Sequence, residues 1–266
     1  MTIPAEALPR LEPGLEQSTL KFTVRVLGQH DSKIRKGHLS GNKFTIRVRE
    51  TTPDWAPLCA DIAQILGERG FANFYGPHRF GRMGDNARAG ENAVKSGKVF
   101  GPKWRKWLMI SAFQSELFNR WHTARIADGL FSTALMGDVF GRLPKGGVFL
   151  SQDPSAEQPR MDAFEISPMG PIFGYKVMKT SGVAQEREQQ ILATAGIELP
   201  QFRQVKAEGS RRRCRLKVED LQISTVENDP VFSFTLPSGS YATVFLNEFM
   251  KCAPNDNEST EVDAED

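Results

Sequence analysis

Two short segments near the start of the chain alternate strictly between apolar and polar residues. They are Lys21–Val26 and Lys43–Arg49. A period of two is typical of strands that bury one face, so we predict two half-buried strands. In the second strand we expect the cations, among them Arg47 and Arg49, to form a basic row on the outer face. Its inward positions are Phe44, Ile46 and Val48.

Helical spacing begins after these strands. Thr52 followed by Pro53 favours a helix start with Thr52 as the N-cap, and Gly70 favours its end. The apolar stripe expected to be buried comprises Leu58, Ile62, Ile65 and Leu66. Two more helices are predicted, Asp85–Lys95 and one from Lys103 to about Ala127. The core stripe expected for the longer helix comprises Trp104, Trp107, Leu108, Phe113, Leu117, Phe118 and Trp121.

The second half of the chain is less regular. Residues 128–180 are rich in Gly, Pro and Met, and we expect short strands and loops there. A helix is predicted over Val183–Ala195. Alternation then predicts strands over Arg211–Val218 and Val231–Leu236, and the C-terminal apolar pattern predicts a helix over Tyr241–Met250.

Composition changes this picture mainly through charge. The net charge is +2 over 266 residues, yet residues 218–266 hold one base and eleven acids, which leaves +12 on residues 1–217. A basic body indicates either a polyanionic partner or a solvated surface balanced by an acidic tail. The acidic tail, 253–266, is expected to be disordered. Three widely spaced cysteines argue against a disulfide framework and fit a reducing cytoplasm. No apolar run reaches membrane-spanning length.

One short segment, Asn73–Gly90, fits neither helical nor strand periodicity. It combines three aromatics and several glycines with Arg79, Arg82 and Arg88. Aromatic faces can stack on bases, cations can meet phosphates, and glycine lets backbone approach a ligand. Asn73, Tyr75 and Arg79 could therefore form a pocket for a flipped base, although a glycine-rich turn that plugs the core would look the same.

Four segments, in order, resemble the TruD family of tRNA pseudouridine synthases. The resemblance covers about Lys21 to Lys251. The segments are RKGHLSGNKFTIRVRE at Arg35–Glu50, NFYGPHRFG at Asn73–Gly81, WLMISAFQSELFN at Trp107–Asn119 and LPSGSYAT at Leu236–Thr243.

The resemblance implies an isomerase that converts uridine, usually uridine-13 of tRNA, to pseudouridine without a cofactor or a metal. It implies no catalytic residue for this chain, but it does imply substrate-binding roles. Asn73 matches the base-reading asparagine and Tyr75 the aromatic two places on. Tyr241 matches the aromatic that lies against the target uridine, and Arg79 would shape the pocket or touch phosphate.

The family's catalytic motif, Gly-x-Lys-Asp-x-x-Ala-x-Thr-x-Gln, has no counterpart in this chain. The resemblance therefore implies a member without its N-terminal segment, and we expect the isolated chain to be inactive. A start codon placed too late, a split gene or a truncated paralogue would each give this sequence. If the chain is one half of a split enzyme, the missing segment would act in trans. Two alternatives stay open. The chain could be a non-catalytic RNA-binding remnant, or a different enzyme that uses Asp85 as its acid.

The expected fold class is α+β. A mixed, largely antiparallel sheet of the pseudouridine-synthase type, incomplete here, would be flanked by helices and joined by a smaller α/β insertion lobe. The expected division assigns 1–17 to an irregular N-terminus, 18–100 and 215–252 to the catalytic part, 101–214 to the insertion and 253–266 to the tail. The expected partner is tRNA, and we expect no association with a membrane.

Overall fold

A computed structural model describes residue 31 and residues 40–81, 83–144 and 146–251. The predictions for 1–17, Lys21–Val26 and 253–266 lie outside these residues. Contacts divide the described residues between two units, one that includes residues 40–42 with 237–239 and one that includes residues 43–236 with 240–251. All side chains of the candidate site belong to the second unit. The division into a catalytic part and an insertion lobe stays a prediction.

The described residues form helices and antiparallel strands, as the predicted α+β class requires. The strands are β1 (Gly41–Arg47), β2 (Phe71–Ala72), β3 (Val139–Arg142), β4 (Val148–Leu150), β5 (Ile166–Ile172), β6 (Ser210–Arg213), β7 (Arg215–Leu216), β8 (Glu219–Val226) and β9 (Asp229–Pro237). The helices are α1 (Trp55–Arg69), α2 (Asp85–Ser96), α3 (Lys103–Ala127), α4 (Pro154–Asp162), α5 (Gly182–Ala195), α6 (Leu199–Gln204) and α7 (Ala242–Met250). Every pairing whose register is described is antiparallel.

One core lies between a three-stranded sheet, in the order β1-β9-β8, and the helices α1 and α7. Strand β9 alternates strictly, with Phe232, Phe234 and Leu236 buried. Phe234 packs on Phe245 of α7 with ring centroids 4.6 Å apart. The period-two pattern in the sequence therefore does bury one face of the sheet.

A second core surrounds α3, which packs against α2, α5 and the four-stranded sheet β4-β3-β5-β6. Gly170 of β5 is essential to this packing. A Cβ there would lie 2.5 Å from Phe118 and 2.6 Å from Trp121. Gly170 pairs with Arg212 of β6, and cross-strand partners face the same side of a sheet. Arg212 is therefore directed toward α3.

The structure corrects several predictions made from periodicity. Trp104 and Trp107 are 68% and 64% exposed and do not belong to the core, although the rest of the α3 stripe is buried or half-buried. On α1, Leu58 and Ile65 are exposed, so the buried stripe is narrower than predicted. Asp54, not Thr52, precedes the first helical residue of α1.

Other differences concern elements and charges. Helices α4 and α6 were not predicted, and the expected strand over Arg211–Val218 is divided between β6 and β7 in two sheets. The basic row on β1 is interrupted because Arg47 pairs with Glu227 at 2.9 Å and with Asp229 at 2.8 Å. Those hydrogen bonds raise the pKa of Arg47 above its usual value.

Candidate functional site

The aromatic loop, residues Asn73–Gly81, begins directly after β2 and contains a short 3-10 helix at Pro77–Arg79. Helix α2 follows at Asp85, but the N-cap is Gly84, so Asp85 is the first helical residue and not the cap. Gly81 adopts a φ of +88°, a conformation that a side chain would strain. The aromatic loop thus connects the end of β2 to the residues that precede α2.

Asn73 anchors the start of this loop to strand β6. Its backbone N–H donates to the carbonyl of Cys214 at 2.8 Å. Its side-chain Nδ2 donates to the Arg213 carbonyl at 2.9 Å, and its Oδ1 accepts from Nη2 of Arg212 at 2.8 Å. Asn73 is buried, so its amide orients the Arg212 guanidinium.

Helix α3 supports the rest of the loop through the polar residues of one face. Asn119 binds the backbone of Tyr75 twice, accepting from its N–H at 2.9 Å and donating to its carbonyl at 3.0 Å. Four residues earlier, Ser115 accepts from Nε of Arg79 at 3.2 Å. Residues four apart on a helix share a face. Ser115 and Asn119 belong to the segment Trp107–Asn119. Their hydrogen bonds therefore connect that segment directly to the aromatic loop.

Two tyrosine rings and two guanidinium groups meet at this place. The rings of Tyr75 and Tyr241 contact edge to face, with centroids 6.0 Å apart. Cζ of Arg212 lies 4.0 Å from the Tyr75 centroid, and Cζ of Arg79 lies 5.7 Å from it. We call Tyr75, Tyr241, Arg79 and Arg212 the tyrosine–arginine cluster. It offers flat faces and positive charge together.

Gly76 permits this close approach. A Cβ there would lie 3.2 Å from the Tyr241 ring and 3.3 Å from the hydroxyl of Thr243. Tyr241 directly precedes α7 and Thr243 lies in its first turn. The glycine of one sequence segment thus accommodates the aromatic and threonine of another.

Burial sets the protonation states in the cluster. It lowers the pKa of the Arg212 guanidinium from its usual value, but an arginine so far above neutrality keeps its charge. Burial raises the pKa of the Tyr241 hydroxyl, an effect that the nearby positive charges of Arg79 and Arg212 oppose. The cluster is therefore cationic near pH 7, with Tyr241 as a neutral hydrogen-bonding group.

Nucleophiles near the cluster are few among the described residues. Burial raises the pKa of the Cys214 thiol to about 12, so a thiolate is not formed there. Arg79 forms no ion pair with a carboxylate in the described part of the chain. Asp85 is exposed, and its carboxylate lies beside Gly81. The described cluster can bind and orient an anionic, aromatic ligand, but it contains no carboxylate nucleophile.

A buried aromatic cluster lies behind the loop around His122. The ring of His122 lies 4.7 Å from Phe74 and 5.7 Å from Phe118, between centroids. Burial, and then the charge of Arg125, lower the pKa of His122 to about 3. His122 is thus a neutral packing residue at neutral pH.

Of the residues proposed from sequence, Tyr75, Arg79 and Tyr241 come together directly, and Asn73 supports them through Arg212. Sequence reasoning missed Arg212, Ser115 and Asn119. A signal for Arg212 existed in the run Arg211–Arg213, because alternation in a strand sends the middle residue to the opposite face. Which neighbour that face would meet depends on the β5–β6 pairing.

Two observations limit other kinds of site. Among residues 40–81, 83–144 and 146–251, no helix is long and apolar enough to cross a membrane. The same residues contain no group of three or more His, Cys, Asp or Glu side chains that could hold a metal ion.

Comparison with known proteins identifies the class of protein that carries this site. The family model for tRNA pseudouridine synthase D (TruD) matches residues 6–99 and 87–249. A tRNA pseudouridine synthase D from an Anaeromyxobacter species is 42% identical over 238 residues, covering 86% of this chain and 67% of the relative. One from Thermus thermophilus is 38% identical over 245 residues, covering 91% of this chain and 68% of the relative.

A solved structure has the same fold. The crystal structure of a protein from Methanosarcina mazei, described as a TruD, superposes with a TM-score of 0.68 and 21% identity. It matches 92% of this chain and 77% of that chain. The chain belongs to the TruD family, which is a family of tRNA-modifying isomerases.

Proposed function

We propose that the chain acts in the isomerisation of uridine to pseudouridine in tRNA, at uridine-13, and that the tyrosine–arginine cluster receives the flipped uridine. The observation that carries this proposal is the approach of Arg212 to 4.0 Å from the Tyr75 ring, beside Tyr241. An enzyme that acts on a base must take it out of the stack and hold it against an aromatic or apolar surface. The cluster has the parts for that task.

Each residue has a proposed role. Tyr241 lies against the uracil ring, since its hydroxyl stays neutral and its ring is half-buried. Tyr75 forms the adjacent wall. Arg79 and Arg212 bind the phosphates that flank the uridine, because guanidinium groups bind phosphate in bidentate geometry. Asn73 holds Arg212 in place, since both ends of its buried amide are bonded to residues of β6.

Bond cleavage requires more than this cluster. A group must attack or protonate at bonding distance, and binding alone gives no route through the reaction. The family's Lys-Asp motif has no counterpart in this sequence, and the described cluster contains no carboxylate. We therefore propose that the 266-residue polypeptide binds tRNA but does not turn it over by itself.

The first test measures binding and turnover together. The purified chain is incubated with an unmodified tRNA transcript, and pseudouridine is detected after cyanoethylation by mass spectrometry. We expect binding without isomerisation, and isomerisation at uridine-13 once a segment carrying the Lys-Asp motif from a TruD relative is added. Turnover by the chain alone would refute the proposed inactivity, and loss of that turnover in Asp85→Asn would then identify Asp85 as the acid.

The second test addresses the cluster itself. Arg212→Met removes one charge and the contact with Tyr75, and we expect tRNA affinity to fall about tenfold, the scale of one charge-assisted contact. Arg120→Met is the matched control, because Arg120 is an exposed residue of α3 whose partner is Glu116. Equal losses in the two variants would mean that only overall charge matters, and the cluster would not be the binding site.

A second candidate function, RNA binding without catalysis, is favoured by the same lack of a carboxylate in the described cluster. The test of binding and turnover separates the two functions. If the chain only binds RNA, the added Lys-Asp segment would leave the bound tRNA unmodified. For either function we propose a cytoplasmic location, a catalytic part at 18–100 with 215–252 and an insertion at 101–214.

A further inference from the structure

Three large aromatic side chains are exposed where α2 is joined to α3. Phe100 is 80% exposed, Trp104 68% and Trp107 64%. Trp104 and Trp107 are three residues apart in α3 and so lie on neighbouring positions of one helical face. We call these three residues the tryptophan surface. Clustered apolar exposure of this kind marks an interaction surface more often than isolated exposed residues do.

Positive charges surround the tryptophan surface. The segment 98–107 contains four cations and no acid: Lys98, Lys103, Arg105 and Lys106. In the part of the chain that the structure describes, none of the four forms an ion pair. A surface of aromatics and unpaired cations complements a polyanion that has flat faces, which is the chemistry of an unpaired nucleic acid strand.

The tryptophan surface is continuous with the tyrosine–arginine cluster. Cζ of Arg79 lies 5.7 Å from the Tyr75 centroid and 6.0 Å from the Trp107 ring, so the two rings are no more than about 12 Å apart. Stacked nucleotides of one strand advance about 3.4 Å each, so a few nucleotides span this distance. One face of α3 also runs from Trp107 to Ser115, which binds Arg79.

We propose that Phe100, Trp104 and Trp107 form a stacking platform for unpaired nucleotides of the substrate RNA, next to the uridine held by the cluster. A base taken out of a helix leaves flanking nucleotides without their stacking partner, and exposed indole rings replace it. This inference rests on the proposed function. It adds a second binding subsite, specific for single-stranded RNA, to the cluster.

The test compares two replacements of Trp107 in the full chain, with binding of a tRNA transcript measured by fluorescence anisotropy. Trp107→Leu keeps an apolar side chain but removes the aromatic face, and we expect affinity to fall about tenfold. Trp107→Phe keeps an aromatic face, and we expect affinity within about threefold of the natural chain. Leu58→Ala, an exposed apolar change on α1, is the control and should bind normally.

Two results with the Trp107 variants would count against the platform. Normal binding by Trp107→Leu would overturn it, and would leave the surface for a protein partner. Equal losses in the Leu and Phe variants, with unchanged circular dichroism, would also overturn it, because the role would then be packing beside Arg79. If Arg212→Met weakens binding while Trp107→Leu does not, only this inference fails. If the natural chain does not bind tRNA, the proposed function fails as well.

Discussion

At the scale of single residues, the site depends on hydrogen bonds that fix one arginine. Arg212 receives its orientation from the Asn73 side chain and carbonyl, at 2.8 Å and 3.1 Å. Removing one partner of a buried polar group leaves the other without compensation for its lost water. The Asn73 position thus links stability to RNA binding.

The variant Asn73→Ala should be less stable by about 1–3 kcal/mol, because the Arg213 carbonyl and Arg212 each lose a partner. Urea unfolding of the full chain measures this change. Asn92→Ala is the control, since Asn92 is exposed on α2 and alanine favours helix there. A stability equal to that of the natural chain would mean that Asn73 does not anchor the loop.

His122 gives a residue-scale prediction about pH. Its pKa is lowered to about 3 in the folded chain and is near 6.5 when unfolded, so the unfolded state binds the extra proton between these values. The contribution of neutral His122 to the free energy of unfolding is therefore present above about pH 6.5. It is lost as the solution is acidified, and the loss reaches about 2 kcal/mol at pH 5.

Replacing His122 by Phe should remove this acid sensitivity while the aromatic packing is kept. Thermal unfolding between pH 5 and pH 7 measures the effect. His78→Gln serves as the control, because it removes an exposed histidine of the 3-10 helix that lies outside the buried aromatic cluster. If His122→Phe is as acid-sensitive as the natural chain, the acid effect arises elsewhere.

At the scale of elements, the fit between helices α2 and α3 depends on a missing side chain. A Cβ at Gly90 of α2 would lie 2.1 Å from the backbone carbonyl of Met109 in α3. Backbone cannot move aside as a flexible side chain can, so the helices would have to separate. This contact gives Gly90 a packing role between the two helices.

The same substitution should have opposite effects in two helices. Gly90→Ala should cost about 1–3 kcal/mol or more through overpacking. Gly67→Ala, in α1 where no atom lies within 4 Å of the added Cβ, should stabilise by up to about 1 kcal/mol through helix propensity. Chemical denaturation of both variants decides the matter, and similar shifts in the same direction would contradict the packing argument.

Sequence reasoning succeeded at this scale where periodicity was long and strong. Helix α3 was predicted from Lys103 to about Ala127, and it occupies those residues. Helix α4 was missed because it lies in a Gly- and Pro-rich region and has Pro159 inside it. Its start did carry a signal, since Asp153 caps the N–H groups of Ser155 and Ala156.

Periodicity could not show which side of an exposed helix turn meets water. Trp104 and Trp107 continue the apolar spacing of α3, but the helix extends beyond its buried contacts at that end. The sequence also indicated Tyr75 and Arg79 as site residues but did not indicate Arg212. Its position depends on β5–β6 pairing and on the absence of a side chain at Gly170.

At the scale of the whole molecule, charge is distributed unevenly along the chain. Residues 1–217 carry a net +12 and residues 218–266 a net −10. Phosphate contacts release counterions, so affinity for RNA should fall linearly with salt on a double-logarithmic plot. Raising salt from about 50 to about 200 mM should weaken tRNA binding at least about tenfold.

The slope of that plot gives a further check on the cluster. Arg212→Met should reduce its magnitude by about one, as expected for the loss of one phosphate contact, while Arg120→Met should leave it unchanged. Anisotropy titrations at several salt concentrations provide the slopes. An identical slope in the natural chain and Arg212→Met would exclude a phosphate contact at Arg212.

The most direct test of the account is the position of the target uridine. A tRNA with 4-thiouridine at position 13 would be bound to the chain, irradiated and digested, and the crosslinked peptide identified by mass spectrometry. We predict a crosslink to the peptide containing Tyr75 or the peptide containing Tyr241. Bound tRNA that crosslinks only to other peptides would contradict the claim that the tyrosine–arginine cluster holds the uridine.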